Sequence, residues 1–103
     1  MLRVRAMALR RLGEIAQASI AAEQALAVAQ DLHGGGLERG LAWAEAARCS
    51  LAAGHASKTQ QQFRAGLLAW QEAQVDGAAL VAPVRLELAA LDASVAQGHS
   101  LPN

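Results

Sequence analysis

The sequence predicts an all-α fold of five helices, and three observations carry that expectation. About a quarter of the 103 residues are alanine, aromatic and β-branched residues are scarce, and only two prolines occur, so nearly every long segment favours helix over strand. Breakers stand at Gly13, Gly34-Gly35-Gly36, Gly54, Asp76-Gly77 and Gly98, which divides the chain into five segments. Within the segments apolar residues recur at alternating spacings of three and four, the period of a helix with one buried stripe.

The first helix is expected over about 2–12 and the second over about 14–32. The second carries Ile15, Ala18, Ala22, Ala25, Ala29 and Leu32 as a narrow stripe of mostly small residues, which lets a neighbouring helix come close. The third, over about 37–53, has Leu37, Leu41, Ala44, Ala47 and Leu51 in register, with Trp43 beside them. The fourth opens at Ser57-Lys58-Thr59-Gln60, where Ser57 can cap the helix and Gln60 can reach back. Thr59, Phe63, Leu67 and Trp70 then form its buried face. The fifth, over about 79–97, aligns Leu80, Val84, Leu88, Leu91 and Val95. Pro83 is tolerable there only in the first turn.

Composition excludes several classes of function. Nine basic and nine acidic residues cancel, so the molecule as a whole carries no charge argument for nucleic acid or for an anionic membrane. No apolar run reaches the roughly 20 residues of a spanning helix. The arginine-rich start, with Arg3, Arg5, Arg10 and Arg11 before any acid, resembles a presequence in charge. It lacks serine and merges into the next helix, so it reads as structure. The single Cys49 fits a reducing, cytoplasmic setting and behaves as a small apolar residue. His33, His55 and His99 lie at helix ends and turns, without the spacing of a helical metal site. Carboxylates are scattered and no nucleophile motif occurs, so neither an enzyme nor a cofactor is expected. The glycine run is followed by Leu37-Glu38-Arg39-Gly40, which satisfies neither a Walker loop nor a dinucleotide fingerprint.

The breakers also define a repeat. Gly13 recurs as Gly54 after 41 residues and Gly54 as Gly98 after 44, while Leu51–Ser57 (LAAGHAS) is echoed by Val95–Ser100 (VAQGHS). The expected units cover about 1–34, 35–77 and an incomplete 78–103. Each is a helix, a glycine turn, a second helix and a joint, and "LHGGGLERG" is the joint between the first two. A helix pair of this kind cannot bury its own apolar face, so stacking supplies the stability. Two and a half units leave apolar residues of the fifth helix without cover, each forgoing roughly 1.5–3 kcal/mol. The chain is therefore expected to belong to a longer array or to self-associate through open ends.

Trp43, Ala47, Gly54, Thr59, Phe63 and Gly66, with Gly13, Ala18 and Ala25 in the first unit, resemble the signature positions of the tetratricopeptide repeat. Ala46 and Ser50 stand where that family uses a leucine and an aromatic residue, and the period exceeds the family's 34 residues by about two turns. The longer period resembles the extended repeats of maltose-activator-like LuxR-superfamily transcription regulators and of repeat-linked nucleotide cyclases. The resemblance implies an α-solenoid of antiparallel helix hairpins in a bacterial regulatory protein, one that binds a protein or peptide. Its alternative is an effector-sensing or oligomerisation segment of such a regulator. Carried onto the first helix of each unit, the family register places Arg3, Met7, Arg10 and Arg11 on the groove face. Leu41, Ala44, Arg48 and Leu51 follow in unit two, and Arg85, Leu88 and Asp92 in unit three. Arginines on that face suit the carboxylates of an extended peptide.

Overall fold

The computed structural model describes residues 2–31, 35–75 and 77–97. Every regular element among them is a helix: α1 (Leu2–Arg11), α2 (Ile15–Gln30), α3 (Gly36–Ala52), α4 (Ala56–Glu72) and α5 (Ala78–Ala96). The glycine punctuation thus places each expected boundary within two residues. Leu32, His33, Gly34, Asp76, Gly98 and His99 lie outside the described residues, and with them part of the central joint and the last echo of the repeat.

The turns inside the first two units match bond for bond. Gly13 and Gly54 both take left-handed backbone, with φ of 84° and 83°. Glu14 N–H donates to the Leu9 carbonyl at 2.9 Å and His55 N–H to Ser50 at 2.9 Å; Gly13 N–H donates to Arg10 at 3.1 Å and Gly54 N–H to Leu51 at 3.0 Å. This geometry closes a helix on a residue with no Cβ. It also corrects the expected cap of α4. With the His55 carbonyl already accepting the N–H of Thr59 at 2.9 Å, the helix starts at Ala56 behind His55, and no side chain caps it. Ser57 is therefore inside the helix. The Thr59 hydroxyl donates to the His55 carbonyl at 2.8 Å, and Gln60 reaches away to Asp92 at 2.7 Å.

A third copy of the same ending closes α4, where Val75 N–H donates to the Trp70 carbonyl at 2.8 Å and Gln74 N–H to Gln71 at 3.0 Å. Here the left-handed residue is Gln74, with φ of 59°, while Gly77 has φ of −66° and precedes α5. A side chain in that conformation costs roughly 1–2 kcal/mol. Gln74→Gly is expected to stabilise the fold by about 0.5–1 kcal/mol after the entropy of the freer unfolded chain is subtracted. An unchanged or lowered midpoint in urea would contradict this. Pro83 also departs from expectation, since it lies inside α5 beyond the first turn. Its ring leaves the Ala79 carbonyl without its helical donor, and both residues are exposed.

The glycines inside the helices have a different role from the turn glycines. A Cβ on Gly36 would lie 2.1 Å from the Ala73 Cβ, and one on Gly40 would lie 2.0 Å from the Trp70 Nε1. One on Gly66 would meet the Trp43 Cβ at 3.0 Å. Each tryptophan thus covers a glycine of the opposite helix: Trp70 of α4 over Gly40, and Trp43 of α3 over Gly66. The Trp70 indole N–H donates to the Leu37 carbonyl at 3.1 Å. As α3 residues rise from Gly36 through Gly40 to Ser50, their α4 partners fall from Ala73 through Trp70 to Gln62, so the two helices run antiparallel. Gly36 and Gly40 are thus sites of close approach at the start of α3.

Helix α3 lies at the centre, with nine of its 17 residues buried. Ala44 and Ala47 face a core with Phe63, Trp70, Val81, Val84 and Leu88 of α4 and α5. Ala46 and Cys49 face a second core with Ala6 of α1 and Ala18, Ala21 and Ala22 of α2. The alanines of the α2 stripe and Thr59, Phe63 and Trp70 of α4 are buried as expected, whereas Ile15 and Leu67 are half-buried. Leu37, Leu51 and Val95 are instead exposed.

Candidate functional site

Five of the eleven residues expected on the groove face come together. Met7, Arg10 and Arg11 of α1 and Arg48 and Leu51 of α3 line a cleft of about 410 Å³, with Ala52 and Glu87 completing it. Three odd-numbered helices thus contribute to it. Helix periodicity accounts for the placement, because positions 3, 7 and 10 share one face of α1. Arg3 stands one turn before Met7 on that face and approaches Glu38 of α3 at 3.7 Å.

The site residues that periodicity alone did not find are carboxylates. Arg10 donates from Nε to Glu45 at 2.7 Å and from Nη2 to its other oxygen at 3.2 Å. Arg48 makes the same fork to Glu87, at 3.1 Å and 2.7 Å. Two-bond pairing of a planar guanidinium with a carboxylate fixes direction as well as distance. The pairs form a series along the odd-numbered helices, α1 to α3 and α3 to α5. Arg3 and Arg10 reach acids 35 residues ahead, at Glu38 and Glu45, so α1 and α3 run in the same direction. That shared offset is the signal in the sequence that could have exposed these partners.

Glu45 is only 4% exposed. Besides Arg10 it accepts the Cys49 thiol at 3.6 Å, one helical turn away. Hydrogen bonding to Glu45 pushes the Arg10 guanidinium above its usual pKa, against the opposing effect of burial. Burial, and then the Glu45 charge, push the Cys49 thiol up to about 11. The folded state therefore holds the thiol proton more tightly than the unfolded state, whose reference value is 9.0. This contribution to stability is fully present below pH 9 and is lost as pH rises towards 11, by an amount on the order of 2 kcal/mol. Cys49→Ala is expected to lack that alkaline decline, and identical decline in both proteins by urea titration would refute the assignment.

Arg85 and Asp92 do not join this cleft. Asp92 turns to α4, where Gln60 holds it at 2.7 Å and Arg64 at 2.9 Å. Arg85 lines a separate cleft between α4 and α5. Ala44 and Leu88, also expected on the groove face, are part of the core, and Leu41 packs against it. The cause is a change of register: Val81, Val84 and Leu88 turn inward together, which rotates Arg85 away from Arg48.

Arg11 is exposed and makes no ion pair among the described residues. It supplies an uncommitted cation at the edge of the cleft, next to the apolar Met7 and Leu51. Among the described residues no cluster of three or more His, Cys, Asp or Glu side chains could hold a metal, and no helix is long and apolar enough to cross a membrane. His55 is exposed at the start of α4. Comparison with known proteins finds no family model, no curated protein and no solved structure that matches the chain.

Proposed function

We propose that the chain is a non-enzymatic helical-repeat module, a tetratricopeptide-like solenoid that binds a protein or peptide on the face formed by α1, α3 and α5. The repeated turns at Gly13 and Gly54, the common direction of α1 and α3, and the two cores on either side of α3 support a stack of hairpins. In such a stack α1, α3 and α5 form one layer and α2 and α4 the other, and each hairpin buries its face against the next. The smallest dimension of the molecule, 20 Å, equals about two helix diameters and fits two layers. Placement in a cytoplasmic bacterial regulator rests on the sequence resemblance alone.

The cleft with Met7, Leu51 and the exposed Arg11 carries the binding reading. Arg10 and Arg48 already hold carboxylates, so they shape the walls while Arg11 meets the partner. The chemistry this favours is an extended segment with an apolar side chain next to an acidic one. Display selection of random peptides against the folded chain tests it. Selected peptides are expected to share that pairing, and Arg11→Glu to weaken them by at least about tenfold, the worth of one charge-assisted contact. Leu68→Glu, on α4, should leave binding intact. Selection without an acidic consensus, or indifference to Arg11→Glu, would remove the proposal.

A second reading, an oligomerisation segment, draws on α5, where Leu86 is 71% exposed and Val95 is also exposed. A sedimentation coefficient that does not change with concentration would count against it.

A further inference from the structure

The groove expected from the sequence leaves Arg85 unexplained, and the structure places it in a second cleft. Helices α4 and α5 meet closely where Val84 and Leu88 enter the core and again where Asp92 meets Gln60 and Arg64. Nearer the joint they part, enclosing about 460 Å³. Leu67 and Val75 contribute apolar surface there, over the buried Trp70 and Val81, while Gln71, Gln74 and Arg85 bring polar groups to it. Arg85 is exposed, and among the described residues neither the Arg85 nor the Gln71 side chain makes a hydrogen bond or ion pair. The lining is polar and apolar in nearly equal measure, and a few hundred cubic ångströms with converging polar groups beside apolar surface is the form of a site for a small molecule that carries both.

We propose that this cleft binds a small amphipathic carboxylate, an organic acid with a compact apolar or aromatic body. The guanidinium of Arg85 takes the carboxylate through a planar two-bond contact, and the Gln71 amide is the adjacent donor. The apolar body lies against Leu67 and Val75, the half-buried apolar residues of the lining. Behind them the buried Trp70 is held in place by its bond to the Leu37 carbonyl and by the close approach of Gly40, so the floor of the cleft is formed before the ligand arrives. The site is separate from the cleft of Arg11, and the proposal does not rest on the peptide-binding reading.

Phenylacetate and hexanoate serve as aromatic and aliphatic probes, with phenylacetamide as the uncharged counterpart. Protein amide and indole N–H resonances are followed by NMR during titration. Saturable shifts are expected at Gln71, Arg85 and the Trp70 indole, with a Kd on the order of 1 mM for ligands of this size. Phenylacetamide should bind at least about tenfold more weakly, and Arg85→Gln should lower phenylacetate affinity by a similar factor without altering the melting temperature. Ala82→Leu, which fills the cleft from an exposed position on α5, should abolish the shifts, whereas Arg11→Gln should not change them. Equal binding of acid and amide, unchanged affinity in Arg85→Gln, or no saturable shift with either acid would each overturn the proposal.

Discussion

Gly40→Ala is expected to be among the most damaging single-methyl additions to this protein, lowering stability by about 2–4 kcal/mol. The added Cβ would lie 2.0 Å from the Trp70 Nε1 and 2.3 Å from two further indole atoms. Relief requires moving a rigid ring that is 1% exposed and packed with Phe63, Ala44 and Ala47. Displacing the ring also breaks its bond to the Leu37 carbonyl, worth roughly 1 kcal/mol. Alanine's better helix propensity returns only about 1 kcal/mol. For a domain of this size the net loss corresponds to a fall in melting temperature of roughly 10–25 °C. Gly77→Ser is the control, because a Cβ there meets nothing within 4 Å and serine suits the start of a helix. The mechanism predicts non-additivity: in a Trp70→Leu background the Gly40→Ala penalty should largely vanish. A full penalty in that background would mean that Trp70 is not the obstacle.

That prediction marks where the sequence stops being informative about packing. Gly13 and Gly54 are legible because left-handed backbone is a local requirement, and both turns have it. Gly36, Gly40 and Gly66 are needed because of what faces them. Nothing near Gly40 in the chain says that Trp70, 30 residues later, will lie across it. The same limit applies to α3. A stripe at helical spacing predicts one buried face, yet Ala46 and Cys49 pack towards α1 and α2 while Ala44 and Ala47 pack towards α4 and α5. Alanine carries too little hydrophobic contrast to show two buried faces in a pattern. The left-handed residue before α5 is not legible either, because the breaker there is Gly77 whereas Gln74 takes the positive φ.

The candidate site was legible to a similar extent. Arginines on the first-helix face are visible in the spacing, and Met7, Arg10, Arg11 and Arg48 do share a cleft. Their state of engagement is not visible, since a helical face reports direction and says nothing of who stands opposite. Extending the register to Arg85 and Asp92 failed because α5 turns with its own apolar set. Val81, Val84 and Leu88 decide its rotation.

Arg10→Ala is expected to cost about 3–5 kcal/mol, because it leaves Glu45 buried with only the Cys49 thiol as a partner. Glu45 cannot reach water as it stands, being 4% exposed, so the loss is the price of an uncompensated charge and not simply of two hydrogen bonds. Lys58→Ala offers the contrast. Its pair with Glu23 spans 3.5 Å between side chains that are both more than half exposed, and its removal should change stability by less than about 0.5 kcal/mol. The double replacement Arg10→Met with Glu45→Met decides what the buried pair is for. Two apolar side chains of similar length avoid the desolvation cost altogether, so chemical denaturation should show most of the Arg10→Ala loss recovered. If the double variant stays as unstable as Arg10→Ala, the forked pair contributes the geometry that seats α1 on α3, beyond offsetting its own burial. If it recovers, with α1 still docked by amide exchange, the small-residue contacts of Ala6 with Ala18, Ala22 and Ala46 suffice to place the helix. The ion pair then holds Arg10 in the cleft wall next to Arg11, where a partner would meet it.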